Sequence, residues 1–119
     1  MKKILLIDDD IEMIHFYQAK MKSGDYQLHY ANNTVEGYRI LDRNEIDLVI
    51  CDYFLQEDTG LDFINAIASR YHKNFHCLIL SNYSINNKID TALKNKKIAG
   101  YYNKPISPRD FDSAIHKHI

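Results

Sequence analysis

The segment Ile4-Leu5-Leu6-Ile7-Asp8-Asp9-Asp10 sets four apolar residues directly against three acids. A short unbroken apolar run reads as a strand covered on both faces, the pattern of a parallel sheet. Its end then delivers carboxylates to one edge of that sheet. Two like charges about 4 Å apart repel by roughly 4 kcal/mol at an effective dielectric of about 20. Such a cluster needs a helix N-terminus, a cation or shifted proton affinities to offset the repulsion. Asp10 is placed to cap the following helix, which leaves Asp8 and Asp9 as candidates for chemistry.

Outward from this segment, strand and helix patterns alternate five times. A strand over Lys3 to Ile7 precedes a helix over Ile11 to Lys22, with Ile11, Ile14, Tyr17 or Gln18, and Met21 on its apolar stripe. Gly24 breaks that helix. Tyr26 to Ala31 alternates, with Tyr26, Leu28 and Tyr30 on one face and Gln27 and His29 on the other, as at a half-exposed sheet edge. Asn33 caps a second helix, with Glu36 at the capping-box offset and Val35, Tyr38 and Leu41 in its stripe.

Leu48 to Cys51 is a second continuous apolar run and ends in Asp52. Loop residues Gln56 to Gly60 lead to a helix with Leu61, Ile64, Ile67 or Ala68, and Tyr71 inward. Cys77 to Leu80 is a third buried run and ends in Ser81. A polar helix follows from about Ile85 to Asn95, then a short strand from Ala99 to Tyr102 that runs into Lys104-Pro105. Ser107-Pro108 opens the last helix as N-cap and first-turn proline, with Phe111, Ile115 and His118 inward. The alternation predicts an α/β protein, a parallel sheet with helices on both faces.

At 119 residues the chain fits one domain around one core, here taken as residues 1–119. A net charge of -1 gives no footprint for nucleic acid, so no direct nucleic-acid binding is expected. No apolar stretch reaches the roughly 20 residues of a membrane span, and the N-terminal apolar run is too short for a signal peptide. Cys51 and Cys77 lie inside strand-like runs and read as buried, reduced thiols of a cytoplasmic protein. The six histidines include no zinc-finger spacing and read as surface residues.

In open α/β sheets, ligands bind outside the carboxyl ends of the strands. This chain places Asp8 and Asp9, Asp52, Ser81 and Lys104 there. Three carboxylates form a hard oxygen site suited to Mg2+, which keeps open positions for water and phosphate oxygens. An ionised Asp52 can attack phosphorus to give an aspartyl phosphate, and Lys104 and the Ser81 hydroxyl can meet the phosphoryl oxygens. Taken singly, a strand-end Asp is often a helix cap, a lone Ser a turn residue and a Lys-Pro pair unremarkable. Their order, one at each strand's end, carries the reading.

With these residues in place the whole chain resembles the receiver domain of two-component response regulators. The resemblance implies a doubly wound, five-stranded, flavodoxin-like sheet in the order 2-1-3-4-5. It implies that Asp52 accepts a phosphoryl group from a sensor histidine kinase, a histidine phosphotransfer protein or a small phosphodonor. Mg2+ would be held by Asp9 and Asp52, by the Phe54 carbonyl and, through water, by Asp8. Lys104 would pair with Asp52 and then with the phosphoryl group, Ser81 would bond that group, and Tyr101 matches the aromatic switch position. The output face would be the fourth helix, last strand and last helix, docking an effector or a second copy. Lys88, Lys94, Lys96 and Lys97 make that region basic.

The chain departs from the family pattern in places. Gln56 replaces the usual loop proline, and Asn82 stands where a small residue is usual and narrows the phosphodonor's approach. Phe54 and Tyr83 sit at positions that control the hydrolytic water, so slow autodephosphorylation is expected. The protein is read as a phosphoacceptor rather than a turnover enzyme. Alternatives are a receiver cut from a larger DNA-binding regulator or hybrid kinase, and a magnesium-dependent phosphatase with an aspartyl nucleophile. The phosphatase would want an acid where Phe54 stands. A nucleotide or flavin binder would want a glycine-rich loop, and none is present.

Overall fold

The computed structural model describes residues 1–21, 24–82, 84 and 86–119. Five strands, β1 (Lys2–Ile7), β2 (Tyr26–Ala31), β3 (Leu48–Asp52), β4 (His76–Ser81) and β5 (Gly100–Asn103), alternate with five helices. The helices are α1 (Ile11–Lys20), α2 (Thr34–Arg43), α3 (Gly60–Tyr71), α4 (Asn87–Lys94) and α5 (Pro108–His118). All strand pairs are parallel, in the order β2-β1-β3-β4-β5.

The unbroken apolar strands are explained by two cores, one on each face. Leu5, Ile7, Val49, Cys51 and Ile79 meet Leu41 of α2, Phe63 and Ile67 of α3 and Ile89 of α4. Ile4, Leu6, Ile50, Leu78 and Leu80 meet Tyr17 of α1 and Phe111 and Ile115 of α5. Successive strand residues thus serve opposite cores, as the twofold side-chain period requires. Both cysteines are buried and unbridged, and burial pushes the Cys51 thiol well up and the Cys77 thiol to about 12.

Every helix begins on a side-chain cap. Asp10, Asn33, Thr59, Asn86 and Ser107 each accept a backbone N–H from the first turn. Such caps contribute about 1 kcal/mol apiece and fix where each strand-to-helix loop ends. Thr59 and Asp62 form a reciprocal capping box at the start of α3.

Several expectations need correction. The first helix ends at Lys20, where Met21 turns to an extended conformation; Lys22 lies outside the described residues. Ile11 and Val35 are not core residues: they are 48% and 57% exposed at the first turns of α1 and α2, whereas Ile14 and Tyr17 face inward as expected and Gly37 is buried on α2. His29 is half-buried rather than solvent-facing, because α2 covers that face of the edge strand, and its Nε2 has no partner among the described residues. The fourth helix is shorter than expected, since Asn86 caps it; Ile85 lies outside the described residues. His118 turns partly inward, with Nε2 3.1 Å from the Tyr102 hydroxyl.

An ionic clasp fastens α5 to the start of β2. His116 Nε2 lies 2.9 Å from Asp25 Oδ2, its Nδ1 lies 2.9 Å from the Asp112 carbonyl, and the Tyr26 hydroxyl donates to Asp112 Oδ1 at 2.6 Å. The hydrogen bond to Asp25, helped by Asp112, raises the proton affinity of His116. The folded state therefore favours charged His116. That contribution is complete below the ordinary histidine pKa and is lost as pH rises through the raised value. His29 and His118, lowered by burial, act with the opposite sign. Thermal melts of wild type and His116→Gln should differ more at pH 5.5 than at pH 8.5. A pH-independent difference would remove the ionic role.

Candidate functional site

The strand register assembles the site. Ile7 is level with Cys51, Asp52 with Leu80, and Ser81 with Asn103. The residues just beyond therefore emerge side by side at the carboxyl edge, from neighbouring strands about 4.8 Å apart. Asp8, Asp9 and Asp52 each offer a carboxylate oxygen within 4.8 Å of the others. Among the described residues this is the one acidic or imidazole cluster with metal-ligand spacing, and it is an oxygen donor set of the type hard divalent cations take.

Lys104 binds the cluster together. Its Nζ donates to Asp8 Oδ2 at 2.7 Å and lies 3.3 Å from Asp52 Oδ1. The Asp8 and Lys104 side chains are 1% and 7% exposed, so this is a buried ion pair in which each charge needs the other. Burial opposes the charge on Lys104, but the bond to Asp8 and the charge of Asp52 outweigh it and hold the ammonium above its usual range. The expectation that Lys104 pairs with Asp52 is met only at the longer distance. Asp8 is its closer partner, and Asp8 also accepts the Asp10 N–H at 3.0 Å.

Burial pushes the Asp52 carboxyl up to about 6, Lys104 pulling it down and Asp8 pushing it further up. Gly60 leaves room for this residue: a Cβ there would lie 2.5 Å from the Asp52 carbonyl oxygen. The Gly60 N–H in turn donates to the Tyr53 carbonyl at 2.6 Å. Phe54, in the loop between them, is 50% exposed, and its ring meets Tyr53 edge-on. The Gln56 loop is held by the Leu55 N–H donating to the Asp58 carbonyl at 2.9 Å.

Ser81 is buried at the end of β4, and its carbonyl accepts the Lys104 N–H at 2.7 Å, which ties the hydroxyl strand to the lysine loop. Asn82 is exposed beside it. Tyr101 is half-buried against the α2–α3–α4 core. Tyr83 lies outside the described residues.

Two contacts were not foreseen from the sequence. Tyr17 is fully buried among Phe16 and Phe111, and its hydroxyl has no partner among the described residues. Burial raises its proton affinity, and the charges of Lys104, Asp8 and Asp52 act on it, so α1 sets a phenol near the cluster. Asn86 caps α4 and also donates to the Tyr53 hydroxyl at 3.3 Å, linking the residue after Asp52 to a helix N-terminus. The cap pattern around Asn86 was a signal for half of that role. Nothing local marks the other half.

The raised Asp52 carboxyl has a stability consequence. At about 1.4 kcal/mol per pH unit, keeping Asp52 ionised at neutral pH costs the folded state on the order of 2–3 kcal/mol. The cost is present above about pH 6 and disappears as pH falls toward the ordinary carboxylate value. In EDTA at pH 7.5, Asp52→Asn should be more stable than wild type by about 1–2 kcal/mol in urea titrations, with the gap narrowing as pH is lowered through the range between the raised and the ordinary carboxylate value. A destabilised variant would contradict the assignment.

Comparison with known proteins agrees with this geometry. The profile of the response regulator receiver domain matches residues 4–116. The transcriptional regulatory protein ZraR of Klebsiella oxytoca is 31% identical over 109 residues, 92% of this chain and 24% of ZraR. The alginate biosynthesis regulatory protein AlgB of Pseudomonas putida is 25% identical over 98% of this chain and 26% of its own length. The chain thus spans about a quarter of the length of these curated relatives. Among solved structures, the chemotaxis protein CheY4 of Vibrio cholerae superposes with a TM-score of 0.86 at 20% identity, covering 100% of this chain and 99% of that one. The response regulator TrrA of Thermotoga maritima, solved in complex with Mg(2+)-BeF, gives 0.78 at 20% identity over 100% of both chains. The fold is flavodoxin-like, and the chain belongs to the response regulator receiver domain family of two-component signalling systems.

Proposed function

We propose that this chain, as a single receiver unit over residues 1–119, is a magnesium-dependent phosphoacceptor whose Asp52 takes a phosphoryl group from phosphohistidine. The observation that carries the reading is the meeting of Asp8, Asp9 and Asp52 within 4.8 Å, with Lys104 Nζ placed between Asp8 and Asp52. The donor set fits magnesium, which favours few carboxylates and retained water. Asp9 and Asp52 would hold it by side chain, Phe54 by its carbonyl and Asp8 through water. When bound, the ion supplies counter-charge to the carboxylates and to the phosphoryl oxygens.

The ionised Asp52 oxygen attacks phosphorus in line. The phosphorus–nitrogen bond of the donor breaks, and its electron pair returns to the imidazole. Lys104 turns from the carboxylates to the transferred group, and the Ser81 hydroxyl donates to another phosphoryl oxygen. Tyr101, half-buried on β5, follows the Ser81 loop inward. This accounts for a signalling fold rather than a turnover enzyme: the product stays on the protein.

The donor would be a sensor histidine kinase or a histidine phosphotransfer protein in the cytoplasm. The output would leave through α4, β5 and α5 to an effector or a second copy. Because the curated relatives are transcriptional regulators about four times longer, a DNA-binding effector controlled by this unit is the leading form of that output. The phosphatase alternative is not favoured, since the residue two beyond Asp52 is the half-exposed Phe54.

Intact mass after incubation with acetyl phosphate and Mg2+ should show one added phosphoryl group on wild type and none on Asp52→Asn or in EDTA. No adduct on either wild type or Asn82→Gly would overturn the reading; an adduct on Asn82→Gly alone would assign Asn82 the role of a gate. Phe54 beside the nucleophile should shield the acyl phosphate from water. Phosphate loss from Phe54→Asn should be several-fold faster than from wild type, and equal lifetimes would remove that role.

A further inference from the structure

We infer that the seam between α3 and α4 is a docking groove for an acidic peptide segment of a partner protein, separate from the phosphoacceptor site. Two adjoining cavities of about 460 and 350 Å³ run along this seam and share Ile64, Asn65, Asn95 and Lys97 in their walls. They lie on the α3 side of α4, away from β5 and α5. Leu61, Ile64 and Ala92 form an apolar floor. The rim carries Lys88, Lys96 and Lys97, all exposed.

Charge identifies the occupant. Lys94, on the same helix, is paired with Asp90 at 3.0 Å, whereas Lys88, Lys96 and Lys97 have no ion pair among the described residues. Lys96 is held at φ 59, a left-handed conformation uncommon outside glycine and asparagine, just where the chain leaves α4 along the groove. The one acid in the wall, Asp62, already accepts the Thr59 N–H in the capping box. Three lysines on a chain of net charge -1 thus form a local positive rim, and complementary charge steers partners and fixes their register.

The chemistry of the wall favours a peptide over a nucleic acid. The carboxamides of Asn65, Asn87 and Asn95 each offer a donor and an acceptor, which match the alternating N–H and C=O of an extended backbone. Single-stranded nucleic acids need aromatic platforms for base stacking, and Phe75 at the far end is the one aromatic residue in either wall. The fitting segment carries acids to meet the lysines and an apolar side chain to enter the floor.

The test is a ¹H–¹⁵N NMR titration of the unphosphorylated chain with the octapeptide Glu-Asp-Leu-Glu-Phe-Asp-Leu-Glu. Its charge-reversed counterpart, with Lys and Arg at the acidic positions, is the control, and a phosphate-rich oligothymidylate is the competitor. The expected result is saturable shifts at Asn65, Ala92 and Lys97, with affinity at least tenfold weaker in Lys88→Glu/Lys97→Glu. The double arginine variant should retain binding, and replacing the peptide's Leu and Phe by Ser should lose it. No saturable shift in the groove, or equal binding of the charge-reversed peptide, would overturn the proposal. Tighter binding of the oligothymidylate at the same residues would assign the groove to nucleic acid instead. Shifts there on concentrating the chain alone would assign it to a second copy. Because the readout is made without phosphorylation, its failure and failure at Asp52 are distinguishable.

Discussion

The buried contact between Lys104 and Asp8 is the constraint on which the rest of this structure depends. Three carboxylates at one sheet edge repel, and two of them are largely removed from water. A single ammonium, brought from the last strand, compensates the charge of the first and third. Removing either partner of such a pair leaves an unpaired buried charge, which costs about 3–5 kcal/mol. The contact therefore ties the loop after β5 to the end of β1 across β3 and β4, 96 residues apart in sequence. A new anionic ligand at Asp52 would compete with Asp8 for this ammonium.

Around that contact the site is tied to its surroundings through backbone groups. The Ser81 carbonyl holds the Lys104 N–H, so the hydroxyl strand and the lysine loop cannot move independently. The Tyr53 N–H donates to the Leu80 carbonyl, and its hydroxyl meets Asn86, the cap of α4. A displacement at Asp52 therefore has two short routes outward, one to β5 through Ser81 and one to the α4 N-terminus through Tyr53. The second route ends on the helix that forms one wall of the α3–α4 groove.

Much of this was legible in the sequence, for identifiable reasons. Ile4 to Ile7, Leu48 to Cys51 and Cys77 to Leu80 are unbroken apolar runs, and only strands buried on both faces account for three of them ending in polar groups. Local signals also placed the caps, since Asp10, Asn33 and Ser107 act on backbone groups two or three residues away. Ile11 and Val35 misled because periodicity reports which residues are apolar, not which side of the first turn points to the sheet. The preference of Lys104 for Asp8 over Asp52 was not legible, because it depends on where the loop after β5 sets the ammonium between two strand ends, which no local pattern encodes. The Tyr17 phenol was hidden as well: its spacing marked it as core, and nothing in its neighbours shows that its hydroxyl would end near the acids.

If Asp52 is phosphorylated as proposed, the energetics of switching argue for a partner. A charge-assisted hydrogen bond contributes about 1.5–3 kcal/mol. Taking a two-state domain from 1:99 to 99:1 needs about 5.5 kcal/mol of differential stabilisation. The proposed Ser81 contact to a phosphoryl group would be too weak for that alone, and Lys104 would gain little by exchanging two carboxylates for a phosphoryl group of similar charge. The remainder would then have to come from repacking of Tyr101 and from a partner on the moved surface. α4 is suited to such a part: it has eight residues, a polar composition and only Ile89 and Ala92 buried. A short helix held by one cap, two buried side chains and the partly buried Leu93 shifts at lower cost than a long one. A partner seated along it supplies the missing stabilisation by binding one position of the helix better than the other.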